Sequence, residues 1–131
     1  MSAPNPFFDP KPYIPASLSE IIDMMASMIF WAPTFKDPSG TFPDHDIDSE
    51  FNRLGEAFRL VRKKLGEELY AALADLAARA KELFAADQDD DNGKTDEGRV
   101  LLFAIEDMLR DARRGRVKAR LPDDEGEVTG D

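Results

Sequence analysis

Residues 17–32 read SLSEIIDMMASMIFWA and predict the first helix of an all-α protein. Ser17 and Glu20 have the spacing of a capping box, in which two side chains satisfy free backbone amides at a helix start. Pro33 disfavours helical geometry at the residue before it, so the helix is expected to end near Ala32. The few polar residues lie on one narrow stripe. A helix this apolar is buried on most sides, either at the centre of the fold or under a partner.

Upstream of this helix, residues 1–16 hold five of the nine prolines. Proline fixes φ and lacks an amide donor, so neither a helix nor a central strand is expected there. A disordered segment usually lacks aromatic residues, yet this one contains Phe7, Phe8 and Tyr13. We therefore predict an extended strap laid across a helical core.

Two helices are predicted in the middle of the chain, over about 50–64 and 67–86, because apolar residues recur there at spacings of three and four. Asp48 or Ser49 is expected to cap the first of them. Gly66 either stops or kinks the chain between them. We favour two separate helices over one kinked rod.

A fourth helix is predicted over about 95–114, with Gly115 as its stop. Its buried side is expected to consist of apolar residues, namely Val100, Leu101, Phe103, Ile105, Met108, Leu109 and Ala112. The segment 116–131 has almost no apolar content, so it cannot offset its ordering entropy and is predicted to be a disordered charged tail. The expected organisation is a strap at 1–16 and a small four-helix bundle-like domain at 17–115, followed by the tail.

The formal net charge is −10, and the acids concentrate in three stretches, 37–50, 87–98 and 121–131. The helical segments between them are near neutral or slightly basic. Net charge governs partners and solubility rather than fold. Acidic loops repel phosphate, so no nucleic-acid binding is expected, and basic residues such as Lys63 are expected to form local ion pairs, for example with Glu67.

A cytoplasmic protein is the expectation from composition. Cysteine is absent, which excludes disulfides and thiolate metal sites. The start of the chain has no basic region followed by a long apolar run, so no signal peptide is predicted. The apolar segment 18–31 contains Glu20 and Asp23 and is shorter than the roughly 20 residues that a membrane span needs. We therefore expect no membrane association.

Two acidic segments invite a metal-site interpretation. The loop 87–97 is rich in aspartate, but neither EF-hand register, starting at Asp87 or at Gln88, places glutamate at the twelfth position. His45, the only histidine, is flanked by Asp44 and Asp46, with Asp48 close by. A single histidine without a helical partner is a weak metal signal, and loop and cap chemistry accounts for these residues. We predict no metal and no cofactor.

The sequence contains no cysteine nucleophile, serine elbow or glycine-rich phosphate loop, so we do not expect an enzyme. The best remaining hypothesis is a small acidic protein-binding module. Phe30 and Trp31 end the first helix beside a long acidic loop, and aromatic residues are typical interface anchors. The candidate partner-binding residues are therefore Phe30, Trp31, Asp44, His45, Asp46, Asp48, Asp89, Asp90 and Asp91.

Immunity proteins and antitoxins share this size, charge and composition, although no motif identifies a family. By that analogy, the favoured hypothesis is a cytosolic inhibitor that neutralises a basic toxin or nuclease. A generic adaptor stays open as the alternative, as does an assembly or regulatory subunit that self-associates, for example as a homodimer.

Overall fold

The computed structural model describes residues 14–36 and 46–119. These residues form helices and no strand, so the predicted all-α fold is confirmed. The helices are α1 (Leu18–Trp31), α2 (Ile47–Leu60), α3 (Arg62–Leu65), α4 (Glu67–Ala85) and α5 (Lys94–Lys118). Because α3 is a single turn, the described part is a bundle of four main helices. Most of the predicted strap and tail lies outside the described residues.

The four main helices close into a ring around one core. α5 packs against both α4 and α1, and α2 packs against α4 and more lightly against α1. The core is almost entirely aliphatic and aromatic, with Leu18, Met25, Leu54, Leu73 and Ile105 among its fully buried side chains. Across residues 14–36 and 46–119, every helix is too short or too polar to cross a membrane.

α1 begins and ends where predicted, but the predicted capping box is only half formed, because the Glu20 carboxylate accepts from the Ala16 N–H and not from the Ser17 N–H. The Ser17 hydroxyl accepts a hydrogen bond from the Glu20 backbone N–H (3.1 Å). The Glu20 carboxylate accepts one from the Ala16 backbone N–H (3.3 Å). Ala32 has extended geometry, with ψ of 149°, as expected for a residue before proline. Local capping chemistry therefore sets both ends of this helix.

α2 begins earlier than predicted. Asp46 is its N-cap, because Asp46 Oδ1 accepts from the Ser49 backbone N–H (2.8 Å). In return, Ser49 Oγ accepts from the Asp46 backbone N–H (2.9 Å). The prediction that Asp48 or Ser49 caps the helix is wrong, since both lie within its first turn. The single turn of α3 then leads to Gly66, whose φ of 86° separates it from α4.

α5 is longer than predicted and runs through Gly115 to Lys118. The Ala119 backbone N–H donates to the Gly115 carbonyl (3.0 Å), so the helical ladder continues past the glycine. The prediction of a stop at Gly115 is wrong. A glycine inside a helix costs only about 1 kcal/mol relative to alanine. That cost is too small to end a helix in which flanking residues maintain the hydrogen bonds.

The loop after α1 delivers a core residue that the sequence analysis did not single out. Phe35 is fully buried and has φ of 59°, in the left-handed region that bulky side chains rarely adopt. Its ring meets Phe51 edge-on at a centroid distance of 5.4 Å and Phe84 at 5.2 Å. These three rings, the aromatic cluster, fill the end of the core where α1 finishes and α2 begins.

Candidate protein-binding surface

Two arginines of α5 fix its antiparallel alignment with α1. Arg113 Nη1 donates to Ser19 Oγ (3.1 Å) near the start of α1. Near the end of α1, Arg99 Nε donates to the Ile29 carbonyl (3.2 Å) and Arg99 Nη2 to the Ala32 carbonyl (3.0 Å). α1 has no basic residue in its last turn, so Arg99 supplies the positive charge that a helix C-terminus favours. The end of α1 is therefore level with the early turns of α5.

The two aromatic candidates at the end of α1 lie in different environments. The Phe30 residue is 79% exposed. Trp31 is partly buried and packs against the core. The structure thus leaves Phe30 accessible and uses Trp31 largely for packing.

Two apolar residues of α5 are also exposed, Val100 at 65% and Phe103 at 50%. The prediction that both belong to the buried side of this helix is wrong. The buried residues of α5 are instead Thr95, Gly98, Leu102, Ile105 and Leu109. Their spacing of three and four was the available signal, because it leaves positions 100 and 103 on other sides of the helix.

These exposed apolar residues occupy the same end of the α1–α5 pair. Phe103 follows Arg99 by one turn, so it lies on the side of α5 that faces α1. Phe30 directly follows Ile29, whose carbonyl Arg99 contacts. We call Phe30, Val100 and Phe103 the α1–α5 patch.

The two described acidic candidates at the start of α2, Asp46 and Asp48, serve that helix. Asp46 is its N-cap. Asp48 Oδ1 lies 3.0 Å from Lys81 Nζ, in an ion pair that joins α2 to α4. Asp44 and His45 lie outside the described residues. The structure therefore assigns local roles to Asp46 and Asp48.

A buried aspartate organises the loop between α4 and α5. Asp87 Oδ1 accepts from the backbone N–H groups of Asp91 (2.8 Å) and Asn92 (3.2 Å), and Oδ2 accepts from that of Thr95 (2.9 Å). Burial tends to raise the pKa of Asp87, but these hydrogen bonds to the ionised form act in the opposite direction, so its pKa lies below the usual value. The ionised carboxylate of Asp87 thus stabilises the loop through these hydrogen bonds.

The candidates Asp89, Asp90 and Asp91 are exposed in this loop. The side chain of Gln88 donates to the Pro33 carbonyl (2.8 Å), so the loop lies beside the exit of α1. The acidic loop and the α1–α5 patch therefore share one end of the bundle. Within the described ranges, no group of three or more aspartates, glutamates or histidines is arranged to hold a metal ion.

Arg62, one of the basic residues between α2 and α4, forms an ion pair at the opposite end of the bundle. Arg62 Nη2 lies 2.6 Å from Glu67 Oε1, and the Arg62 guanidinium lies 4.3 Å from the centre of the Tyr70 ring. The hydrogen bond from Arg62 lowers the pKa of Glu67. The predicted pair of Lys63 with Glu67 is wrong, because Glu67 pairs with Arg62.

A shallow hollow of about 220 Å³ lies between α2 and α4. Its wall includes Gly55, Tyr70, Ala74 and Lys81. None of the sequence-predicted candidates lines this hollow. The candidate site therefore remains the end of the bundle that carries the acidic loop and the α1–α5 patch.

Comparisons of the chain with protein-family models, curated proteins and solved structures gave no match.

Proposed function

We propose that this protein is a small acidic binding module that captures a basic protein through the α1–α5 patch. The exposure of Phe30 carries the proposal, because Phe30 lies in the last turn of a helix whose other large apolar residues are buried or partly buried. Single exposed apolar residues are ordinary on protein surfaces. Here Phe30, Val100 and Phe103 occur together at one end of one helix pair, and aromatic side chains are common anchors in interfaces.

The charge distribution supports a basic partner. The net charge is −10, and the acidic loop 87–93 lies at the same end as the patch. Acidic groups around an apolar anchor accelerate the approach of a basic surface and disfavour acidic competitors. The role that fits best is an inhibitor that neutralises a basic toxin or nuclease by covering the surface through which that partner acts.

The test is capture followed by reconstitution. The wild-type chain and the double variant Phe30→Ser/Phe103→Ser are used as bait in the cells that make the protein, and any retained protein is then purified. We expect a partner of positive net charge that binds wild type with 1:1 stoichiometry, loses its activity in the complex, and binds the double variant at least about tenfold more weakly, a difference of 1.4 kcal/mol.

Leu60→Ser is the matched control, because Leu60 is 46% exposed on α2. It should bind like wild type. Equal binding by the double variant would contradict the proposal. A patch-dependent homodimer without a basic partner would instead favour the self-associating subunit.

A further inference from the structure

Two exposed carboxylates lie on the face that carries the α1–α5 patch. Asp23 of α1 and Asp107 of α5 are both exposed, and neither forms an ion pair with any residue of 14–36 or 46–119. Other acids of α5 do pair within the helix, as Glu106 does with Arg110 at 3.0 Å. Asp23 and Asp107 are therefore carboxylates without an ion-pair partner in the part of the chain that the structure describes.

Helical periodicity places both carboxylates at the same distance from the patch. Asp23 precedes Phe30 by seven residues, and Asp107 follows Val100 by seven, which is two turns on the same face in each helix. The antiparallel alignment set by Arg113 and Arg99 then brings the two carboxylates to one level. At a rise of about 1.5 Å per residue, that level lies about 10 Å from the patch along the helix pair.

A small residue lies between Asp23 and Phe30 on α1. Ala26, one turn after Asp23 and one turn before Phe30, is exposed and has the smallest chiral side chain. A small residue at this point allows another helix to approach the α1–α5 pair closely, since interaxial distance depends on the side chains at the contact.

We propose that this face binds an amphipathic basic helix of the partner. Apolar side chains on one face of that helix cover Phe30 and Phe103. Lysines or arginines two turns away on the same face reach Asp23 and Asp107. The inference rests on the proposed function and specifies its partner. Charge complementarity favours this occupant over a second copy of the chain, because a copy docked through the same face would bring its own Asp23 and Asp107 to these carboxylates.

Two synthetic peptides of about 18 residues, long enough to form a helix, test the spacing. In the first, two lysines lie two turns from a leucine pair on one face. The second has the same composition, with the lysines moved to the opposite face. By calorimetric titration, we expect the first to bind wild type at least about tenfold more tightly than the second.

Asp23→Asn/Asp107→Asn should remove that difference. Glu68→Gln, which neutralises an exposed acid on α4, should preserve it. If the asparagine variant keeps the full difference while Phe30→Ser/Phe103→Ser abolishes binding, this inference is overturned and the proposed function stands. If the first peptide does not bind, the inference also fails. If it binds and neither pair of substitutions matters, both proposals fail. Self-association through the patch in sedimentation experiments would likewise overturn the inference.

Discussion

Gly98 of α5 lies directly against the ring of Phe84 of α4. A Cβ atom built on Gly98 would be 2.6 Å from Phe84 Cε1 and 2.7 Å from Cζ. Phe84 is fully buried and in contact with Phe35 and Phe51, so its ring has little room to move. The packing of α4 against α5 at this point therefore depends on glycine, which has no side chain, at position 98.

Gly98→Ala is expected to be less stable than Gly55→Ala. Both substitutions gain the helix propensity of alanine, about 1 kcal/mol. Nothing lies within 4 Å of a Cβ on Gly55, so the difference between the variants isolates overpacking, about 1–3 kcal/mol. Urea unfolding followed by circular dichroism measures both free energies. Equal stability of the two variants would show that the Phe84 ring moves freely.

Phe35→Ala is expected to lower the free energy of unfolding by about 3–5 kcal/mol, the usual cost of removing a buried aromatic ring. Phe30→Ala is the matched control, because Phe30 is exposed, and it should change stability by less than about 0.5 kcal/mol. Thermal unfolding of both variants checks the contrast. A small effect of Phe35→Ala would mean that the aromatic cluster contributes little to the core.

Arg99→Met is expected to cost about 1–3 kcal/mol, because it keeps most of the aliphatic stem but leaves the Ile29 and Ala32 carbonyls without their charged donor. The control is Arg79→Met, which breaks an exposed pair with Asp75 (3.7 Å) and should cost less than about 1 kcal/mol. Chemical denaturation compares them. Similar costs would argue against a special role for Arg99 at the end of α1.

Asp87→Asn is expected to destabilise the protein at neutral pH and to matter less in acid. The folded-state pKa of Asp87 lies below its ordinary value, so the carboxylate contributes stability above about pH 4 and loses it as the pH falls through the lowered pKa. As the pH falls from neutral to about 2, the free energy of unfolding of Asp87→Asn should therefore converge with that of wild type.

Asp89→Asn, an exposed change in the same loop, is the control for Asp87→Asn and should follow the wild-type curve. A gap between wild type and Asp87→Asn that stays constant over the whole pH range would show that shape, rather than charge, explains the role of Asp87.

The features predicted correctly from the sequence are those with local causes. α1 carries its own N-cap, Ser17, and is followed by Pro33, and α4 starts directly after Gly66. The start of α2 was misplaced because Asp46, Asp48 and Ser49 are all good capping residues. Only the reciprocal bonds between Asp46 and Ser49 distinguish them, and those bonds require the folded backbone.

Tertiary placement was harder to predict. Phe35 stands alone among turn-forming residues, so no periodicity marks it as core, and its partners lie in α2 and α4. Phe103 and Val100 were assigned to the core because they are apolar, although an apolar residue need not be buried. Of the predicted candidate site, Phe30 is exposed in the structure. Val100 and Phe103 lie at the same end because of the alignment of α1 with α5, which is a tertiary feature without a local sequence signal.

The aromatic cluster, the Gln88 contact and the Arg99 contacts all lie at the end that carries the α1–α5 patch. At the other end, the single turn of α3 meets Gly66, and Leu60, the last residue of α2, is exposed. Local opening begins where buried contacts are fewest, so amide protons of α3 should exchange with solvent long before those around Gly98. A protein that binds at the end carrying the α1–α5 patch would meet a backbone already held by these contacts. Little of the binding affinity would then be lost to the ordering of this chain.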